Sequence, residues 1–334
     1  MMQMSKILGA VVWVSAVLAG CSGRDDAPPG DGSGCTGVCD GGSDGGADAG
    51  RADCPVPDSN GRGPIGQLKA TAQRGDKVSL PHLVITAVDY TSRGDAGDYI
   101  AYFWAVDPCF PQEGLYVDKF YTDTPGPYLP QIGDEITLEG IYRQYYPNAS
   151  DANQTRHAHR PVIKSDFRLD VPGVTGKVNI IKTGTVTGVQ DLTVPAGFGN
   201  ADGGSAQANP QYAGARVHIP GPLSLTDPNP LALKRRVNNP QDTAFNGFEV
   251  TGGVLVNDYK TYGQTADGGA PRCDWRAVAL DGGGVSFPNG IRGVWDTYSN
   301  VYQDAGVIPG TTAEYTYILY PQDCATDLPG VTTP

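Results

Sequence analysis

Gly133-Asp134-Glu135-Ile136-Thr137-Leu138-Glu139-Gly140-Ile141-Tyr142 is the stretch whose reading decides the fold. A Gly-Asp turn leads into apolar residues at alternate positions, Ile136 and Leu138, and the alternation resumes at Tyr142 beyond a glycine. Period-two alternation marks a strand with one buried face, because successive side chains point to opposite sides. A glycine inside such a strand marks a bulge or a tight bend at a barrel corner. The same texture runs outward in both directions, as short apolar segments between Gly, Pro, Asn and Asp. Strands are expected at Val78–Tyr90, Tyr99–Asp107, Gly114–Phe120, Glu135–Tyr146 and Val162–Leu169. Five short strands with turn signals between them predict a small closed barrel or sandwich.

The second half partly repeats the device. After the Asn246-Gly247 turn, Phe248, Val250, Gly252 and Val254 follow the spacing of Ile136, Leu138, Gly140 and Tyr142. Further strands are expected at Gly184–Leu192, Ala215–Ile219, Trp275–Leu280, Ile291–Tyr298 and Glu314–Tyr320. The expected fold class is all-β, with one barrel or sandwich over residues 64–172 and a second, possibly of the same kind, over 173–334. The boundary is set near Pro172-Gly173. Long turn-rich insertions, Pro195 to Tyr212 and Ser224 to Thr243, belong on the surface.

The strand form Gly133-Asp134-x-Ile136-x-Leu138-x-Gly140 resembles that of OB-fold domains in secreted bacterial proteins, over about residues 64–172. That resemblance implies a small OB-type barrel. OB-type barrels also occur beside extracellular nucleases, which enters only as an analogy.

The amino-terminal region points to export. Lys6 precedes an apolar run from Ile7 to Leu18, and Leu18-Ala19-Gly20-Cys21 follows. Twelve helical residues span only about 18 Å, against roughly 30 Å of bilayer hydrocarbon, which predicts a cleaved signal rather than a membrane span. The ending resembles the lipobox of bacterial lipoproteins. The resemblance implies signal residues 1–20, acyl chains on Cys21 as the first mature residue and, with Ser22 rather than Asp next, transfer to the outer membrane. Residues 21–63 then form a linker: Gly, Asp, Ala, Ser and Pro dominate it, with too little apolar surface to offset its chain entropy. Its Asp/Gly/Ala composition is similar to spacers of myxobacterial lipoproteins.

Net charge is -12, and residues 55–334 carry -8 of it. An acidic body repels phosphate backbones and anionic lipid, which argues against a nucleic-acid partner. Lys234-Arg235-Arg236 is too small a basic cluster to reverse this. Setting Cys21 aside leaves six cysteines, an even number suited to disulfides in an exported chain. The preferred pairing is Cys54–Cys109, Cys273–Cys324 and a local Cys35–Cys39 loop.

Candidate chemistry is sparse. His157-Ala158-His159 would place two imidazoles on one face of an extended segment, with Asp151 and Asp166 as possible further metal ligands. The flanking residues are all polar or chain-breaking, which favours an exposed loop over a metal site. His82 and His218, each on an alternating strand near a proline, read as structural. In Ile291–Tyr298, the residues Arg292, Val294, Asp296 and Tyr298 share one face, as a polar ligand site or as a structural Arg–Asp contact. Ile100, Tyr102, Trp104 and Val106 share one face of the second strand, with Tyr99, Ala101, Phe103 and Ala105 on the other; exposed aromatics on an OB-type barrel can stack bases or sugars, but such a face reads more readily as barrel core. No serine-nucleophile elbow, phosphate loop or His-Glu-x-x-His occurs, so no catalytic residue is assigned and no cofactor is expected. The expectation is a non-enzymatic, outer-membrane-anchored lipoprotein whose β domains bind an envelope protein or polysaccharide. The competing expectation is a lipid-anchored enzyme or toxin with a nuclease-like role.

Overall fold

A computed structural model describes residues 54–73, 75–144, 160–164, 176–195, 197–199, 209–234, 241, 243–258, 260, 273, 275, 284–298 and 315–331. The fold is all-β. The strands form two sheets, accompanied among the described residues by two short α-helices, α1 (Pro64–Thr71) and α2 (Cys324–Asp327).

The first sheet contains β1 (Lys77–Arg93), β2 (Tyr99–Val106), β3 (Gly114–Lys119), β4 (Asp134–Gln144), β5 (Pro161–Lys164) and β6 (Asn179–Thr185). Its neighbours run β1-β2-β3-β5-β4, and β4 pairs again with β1, which closes a five-stranded barrel. Only the β3–β5 contact within that ring is parallel. β1 serves two neighbours because it bends. Lys77–Leu80 pair with β4, the register slips across Pro81-His82, and Val84–Arg93 pair with β2. At the slip His82 adopts φ +57°, a left-handed conformation unusual for a residue with a side chain.

The inward faces of these strands contribute Leu80, Leu83, Ile85, Phe103, Val117, Ile136, Leu138, Tyr142 and Ile163, and Ile65 of α1 joins the same core. Each such side chain contributes about 1.5–3 kcal/mol on burial. Gly140 lies where the decisive strand requires closeness: a Cβ there would be 2.4 Å from Cγ2 of Ile163 on β5. β6 adds to the far side of β4, so the first sheet reaches beyond the expected 172/173 boundary, whose own residues lie outside the described set. The strand expected at Gly184–Leu192 is therefore displaced. The chain is extended from Asn179 to Thr185, because Ile180 can bury itself there against β4.

The second sheet contains β7 (Leu192–Thr193), β8 (Arg216–Ile219), β9 (Leu223–Asp227), β10 (Gly247–Val250), β11 (Val254–Asn257), β12 (Ser286–Phe287), β13 (Ile291–Tyr298) and β14 (Thr316–Tyr320). Its order is β12-β9-β10-β11-β14-β13-β8-β7. Pro220-Gly221-Pro222 separates β8 from β9, at the place where β1 bends around Pro81-His82. With β8 and β9 counted as one broken strand, the ring order equals that of the first sheet, including one parallel contact, β11–β14. The registers also coincide. Val217 faces Gly293 as Val78 faces Gly140. Phe248 faces Val256 as Phe103 faces Val117, and Trp295 faces Leu319 as Tyr142 faces Ile163.

This corrects the alignment expected from sequence. The counterpart of Gly140 is Gly293 on β13, not Gly252, which has φ +86° and lies between the paired strands β10 and β11. Alternate apolar spacing is common to every half-buried strand, so it fixed the type of element without fixing which strand was which. Trp275 is likewise helical rather than extended, and Arg276–Leu280 lie outside the described residues. Its indole packs 4.2 Å from the Phe248 ring within the second core.

Ala49–Pro334 form one compact unit. The barrels meet along a third apolar cluster, in which Ala87, Trp104, Tyr116 and Val162 of the first pack with Leu255, Val294, Tyr298, Ile318 and Tyr320 of the second. Backbones touch at one end of this seam: a Cβ on Gly114 would lie 1.8 Å from the Gly214 carbonyl oxygen.

Candidate functional site

The outer face of β1, β2 and β3 holds the most chemically distinctive surface. Trp104 and Tyr116 form its inner row. They are covered by the second barrel, so they are removed from any ligand. The next row is Tyr90, Tyr102 and Asp118, directly opposed across three strands. A chain of ring contacts links the rows: Tyr90–Tyr102 at 5.5 Å, Tyr102–Tyr116 at 6.4 Å and Tyr116–Trp104 at 5.1 Å between centroids. A bulge at Asp89 in β1 turns its carboxylate toward Tyr116, whose hydroxyl donates to it at 2.8 Å. Tyr90 is 41% exposed and Tyr121 is 37% exposed. Burial, then the negative charges of Asp118 and Asp89 with Tyr90 and Tyr121 nearby, push the Tyr102 hydroxyl well above the ordinary phenol range. Tyr102 therefore stays a neutral hydrogen-bond donor at all physiological pH values.

The sealed row is pinned by a buried charge pair. Arg160 is 1% exposed, and its Nε lies 2.8 Å from Oδ2 of Asp296 on β13. Its Nη2 donates to the Thr297 carbonyl at 2.9 Å. The guanidinium carbon is 4.3 Å from the Tyr116 ring centroid, 5.2 Å from Trp104 and 5.4 Å from Tyr320. The Trp104 indole N–H donates to the same Asp296 oxygen, and the Tyr320 hydroxyl donates to the Thr297 carbonyl at 2.8 Å. Burial alone would lower the Arg160 pKa. Asp296, with the Tyr320 and Tyr116 rings, outweighs it and holds the guanidinium above its usual value. The charge is thus permanent. A cation enclosed by three rings and a carboxylate fixes the docking of the two barrels.

The sequence candidates fall into several places. Val294, Asp296 and Tyr298 do share a face, and that face is the seam. Tyr298 is buried there, and its hydroxyl accepts from Asn246 Nδ2 at 2.9 Å. Arg292 does not meet Asp296. It pairs with Asp191 at 3.2 Å, in a network where Arg216 bridges Asp191 at 2.6 Å and also binds Asp327. Burial raises the Asp191 pKa, against the opposing pull of Arg216. His82 Nδ1 lies 2.8 Å from Glu135 Oε1, and His218 Nε2 lies 3.1 Å from the Asn289 carbonyl. His157 and His159, with Asp151 and Asp166, lie outside the described residues, as do Cys21, Cys35 and Cys39. Among the described residues no group of three or more His, Cys, Asp or Glu could hold a metal ion. The Cys54–Cys109 and Cys273–Cys324 disulfides are present, with Cα separations of 5.7 and 5.9 Å.

Sequence reasoning missed Arg160, Tyr90 and Tyr121. Arg160 sits in a polar stretch beside Pro161, and nothing local announces a partner 137 residues away at Thr297. Tyr90 had a signal, since it ends an alternating strand at the rim where a large apolar side chain has no core to enter. No family model, curated protein or solved structure matches the chain. No helix among the described residues is long and apolar enough to cross a membrane.

Proposed function

We propose that this chain is a non-enzymatic envelope lipoprotein: two OB-type barrels tethered to the outer membrane by acyl chains on Cys21, binding an envelope partner through the outer β1–β2–β3 face of the first barrel. The anchor reading is supported by Lys6, the short apolar run and Leu18-Ala19-Gly20-Cys21. The OB-type reading is supported by the shared ring order, five strands with a single parallel contact, in both sheets. The observation that carries the binding role is an exposed aromatic rim beside a sealed row: Tyr90 at one end of the outer row and Tyr121, past the end of β3, remain exposed where Trp104 and Tyr116 are buried. Exposed aromatic rings held on a rigid sheet are poor for solubility and good for recognition.

The test uses the full-length protein in its native envelope. Mass spectrometry of the mature amino terminus should find an acylated Cys21, and Cys21→Ala should release the protein from membranes. Affinity capture from solubilised envelopes should retain a partner with the parent protein and lose it with Tyr90→Ala plus Tyr121→Ala. A non-acylated terminus overturns the anchor. Unchanged capture by the double variant overturns the binding face.

A further inference from the structure

We infer that the chain cuts itself between Asn289 and Gly290, the Asn289 side-chain amide attacking its own backbone carbonyl while His218 holds the carbonyl oxygen. The inference is independent of the tyrosine rim and concerns a single turnover on the chain itself. Asn-Gly pairs occur in the sequence at Asn60, Asn246 and Asn289. The structure separates them. Asn246 is tied down: its Nδ2 donates to the Tyr298 hydroxyl at 2.9 Å, and its carbonyl accepts from the Asp258 N–H at 3.2 Å. Asn60 lies in an open turn, where a Cβ on Gly61 would meet nothing within 4 Å. Asn289 has an imidazole on its carbonyl. Nε2 of His218 lies 3.1 Å from that oxygen, and since a carbonyl only accepts, Nε2 is the donor. The other described histidine, His82, bonds Glu135 instead.

Pro288-Asn289-Gly290 joins β12 to β13 in a turn closed by the Gly290 N–H on the Phe287 carbonyl at 3.1 Å. Gly290 is buried with φ +74°, and a Cβ on it would lie 2.1 Å from the Ile219 carbonyl oxygen and 2.8 Å from the Gly221 nitrogen. That packing opposes deamidation, the usual fate of an Asn-Gly pair. The Gly290 nitrogen would have to leave its turn to reach the side-chain carbon, and backbone pressed against Ile219 and Gly221 has no room to swing. Asn289 itself is exposed, so its carboxamide can rotate while the backbone stays in place. Its Nδ2 already donates to the Pro329 carbonyl at 3.3 Å, which draws on the proton that the attack must shed.

In the step, Nδ2 bonds to the Asn289 carbonyl carbon, and the bond from that carbon to the Gly290 nitrogen breaks. Nδ2 gives up one proton and the Gly290 nitrogen takes one up, so no water, metal or oxidant is consumed. The products are a cyclic imide on Asn289 and a free amine on Gly290. Negative charge gathers on the carbonyl oxygen between these states, where a fixed donor is most effective. Attack within one residue gains further from high effective concentration. The pieces stay joined, because Cys273 lies before the cut and its partner Cys324 after it. β13 and β14 remain paired within the later piece.

The experiment incubates the full-length, detergent-solubilised protein for days at neutral pH and follows its intact mass with and without reductant. Reduced samples should release a piece running from Gly290 to Pro334, and unreduced samples should stay in one. The earlier piece should end in a cyclic imide at Asn289, which hydrolysis by a protease cannot leave. Asn289→Ala should abolish the cut. His218→Ala should slow it on the order of a hundredfold, the loss that follows removal of one donor from a developing oxyanion. His218→Gln, which keeps an N–H donor, should recover part of the rate, a response that a merely structural histidine would not give. Circular dichroism and melting confirm that each variant folds. A chain that stays whole under reduction overturns the inference. So does deamidation of Asn289 with the backbone unbroken, or a cut that persists in Asn289→Ala, or a plain carboxyl end at Asn289 from the first time point.

Discussion

The two barrels share a ring order and a core register, yet their outer faces have opposite fates. In the first, the β2–β3 face carries Tyr102, Trp104, Tyr116 and Asp118. In the second, the matching positions on β10 and β11 are Gly247, Glu249, Leu255 and Asn257, and the face turned to the seam is built from Val294, Asp296, Tyr298, Ile318 and Tyr320 of β13 and β14. Inward positions answer to the geometry of barrel closure, so Phe103 and Phe248, or Gly140 and Gly293, remain interchangeable in role. Outward positions answer to whatever covers them. The comparison teaches that closure was repeated while surface was divided, one barrel keeping an open row and the other supplying a lid for the rest.

The sharpest way to break that division is at the charge pair. Arg160→Met leaves Asp296 buried beside apolar rings, and removing one partner of a buried pair costs about 3–5 kcal/mol. Denaturant unfolding should then change from one transition to two, one for each barrel. Arg160→Met combined with Asp296→Leu should recover most of the loss, since an apolar pair no longer strands a charge.

The disulfides test the symmetry next. Each barrel has one, closing loops of 55 and 51 residues, and the chain-entropy model assigns about 4 kcal/mol to either. Paired Cys→Ala replacements should therefore lower stability by similar amounts, measured by urea midpoints. A large inequality would reveal that one loop is already constrained in the unfolded chain.

The matched glycines should differ in a predictable direction. A Cβ on Gly140 meets a side-chain methyl of Ile163, whereas one on Gly293 meets the Tyr320 backbone at 2.7 Å. Gly140→Ala should cost about 1–3 kcal/mol and be relieved by Ile163→Leu, which lacks the branching Cγ2 methyl. Gly293→Ala should cost at least as much, and no side-chain trimming should relieve it.

The smallest effect concerns pH. Lys69 of α1 donates its Nζ to the Ala213 carbonyl across the seam at 2.8 Å. Burial, only partly countered by Asp296 and Glu113, pushes its pKa down to about 8. An unfolded lysine keeps its proton up to about 10.4, so between those values the unfolded chain binds more protons than the folded one. Stability therefore gains from this group as pH rises from 8 to 10.5 and is penalised by it below 8. Lys69→Met should remove that rise, a change on the order of 1 kcal/mol given its half-exposed stem, visible as a flatter melting-temperature profile.

Much of this architecture was legible beforehand. The strands through Val78–Tyr90, Tyr99–Asp107 and Gly114–Phe120 follow from alternation alone, and both disulfides follow from an even cysteine count and nearest pairing. The identity of the second barrel's strands was not legible, because Gly252 in a turn and Gly293 under a neighbouring backbone look alike in a sequence. Asp296 was read on the right face for a different purpose. An alternating strand declares which residues share a side, but what lies against that side comes from distant sequence. Arg160 is the extreme case, since its polar partners Asp296 and Thr297 lie in a barrel it does not belong to.

Cys54 is joined to Cys109 in the loop between β2 and β3. Any pull arriving along the chain from earlier residues is handed through sulfur to the middle of the first barrel. It does not unzip α1 and β1 from their ends. Mechanical load enters in shear across several hydrogen-bonded strands at once, so the molecule would resist tugging far better than its modest helix suggests.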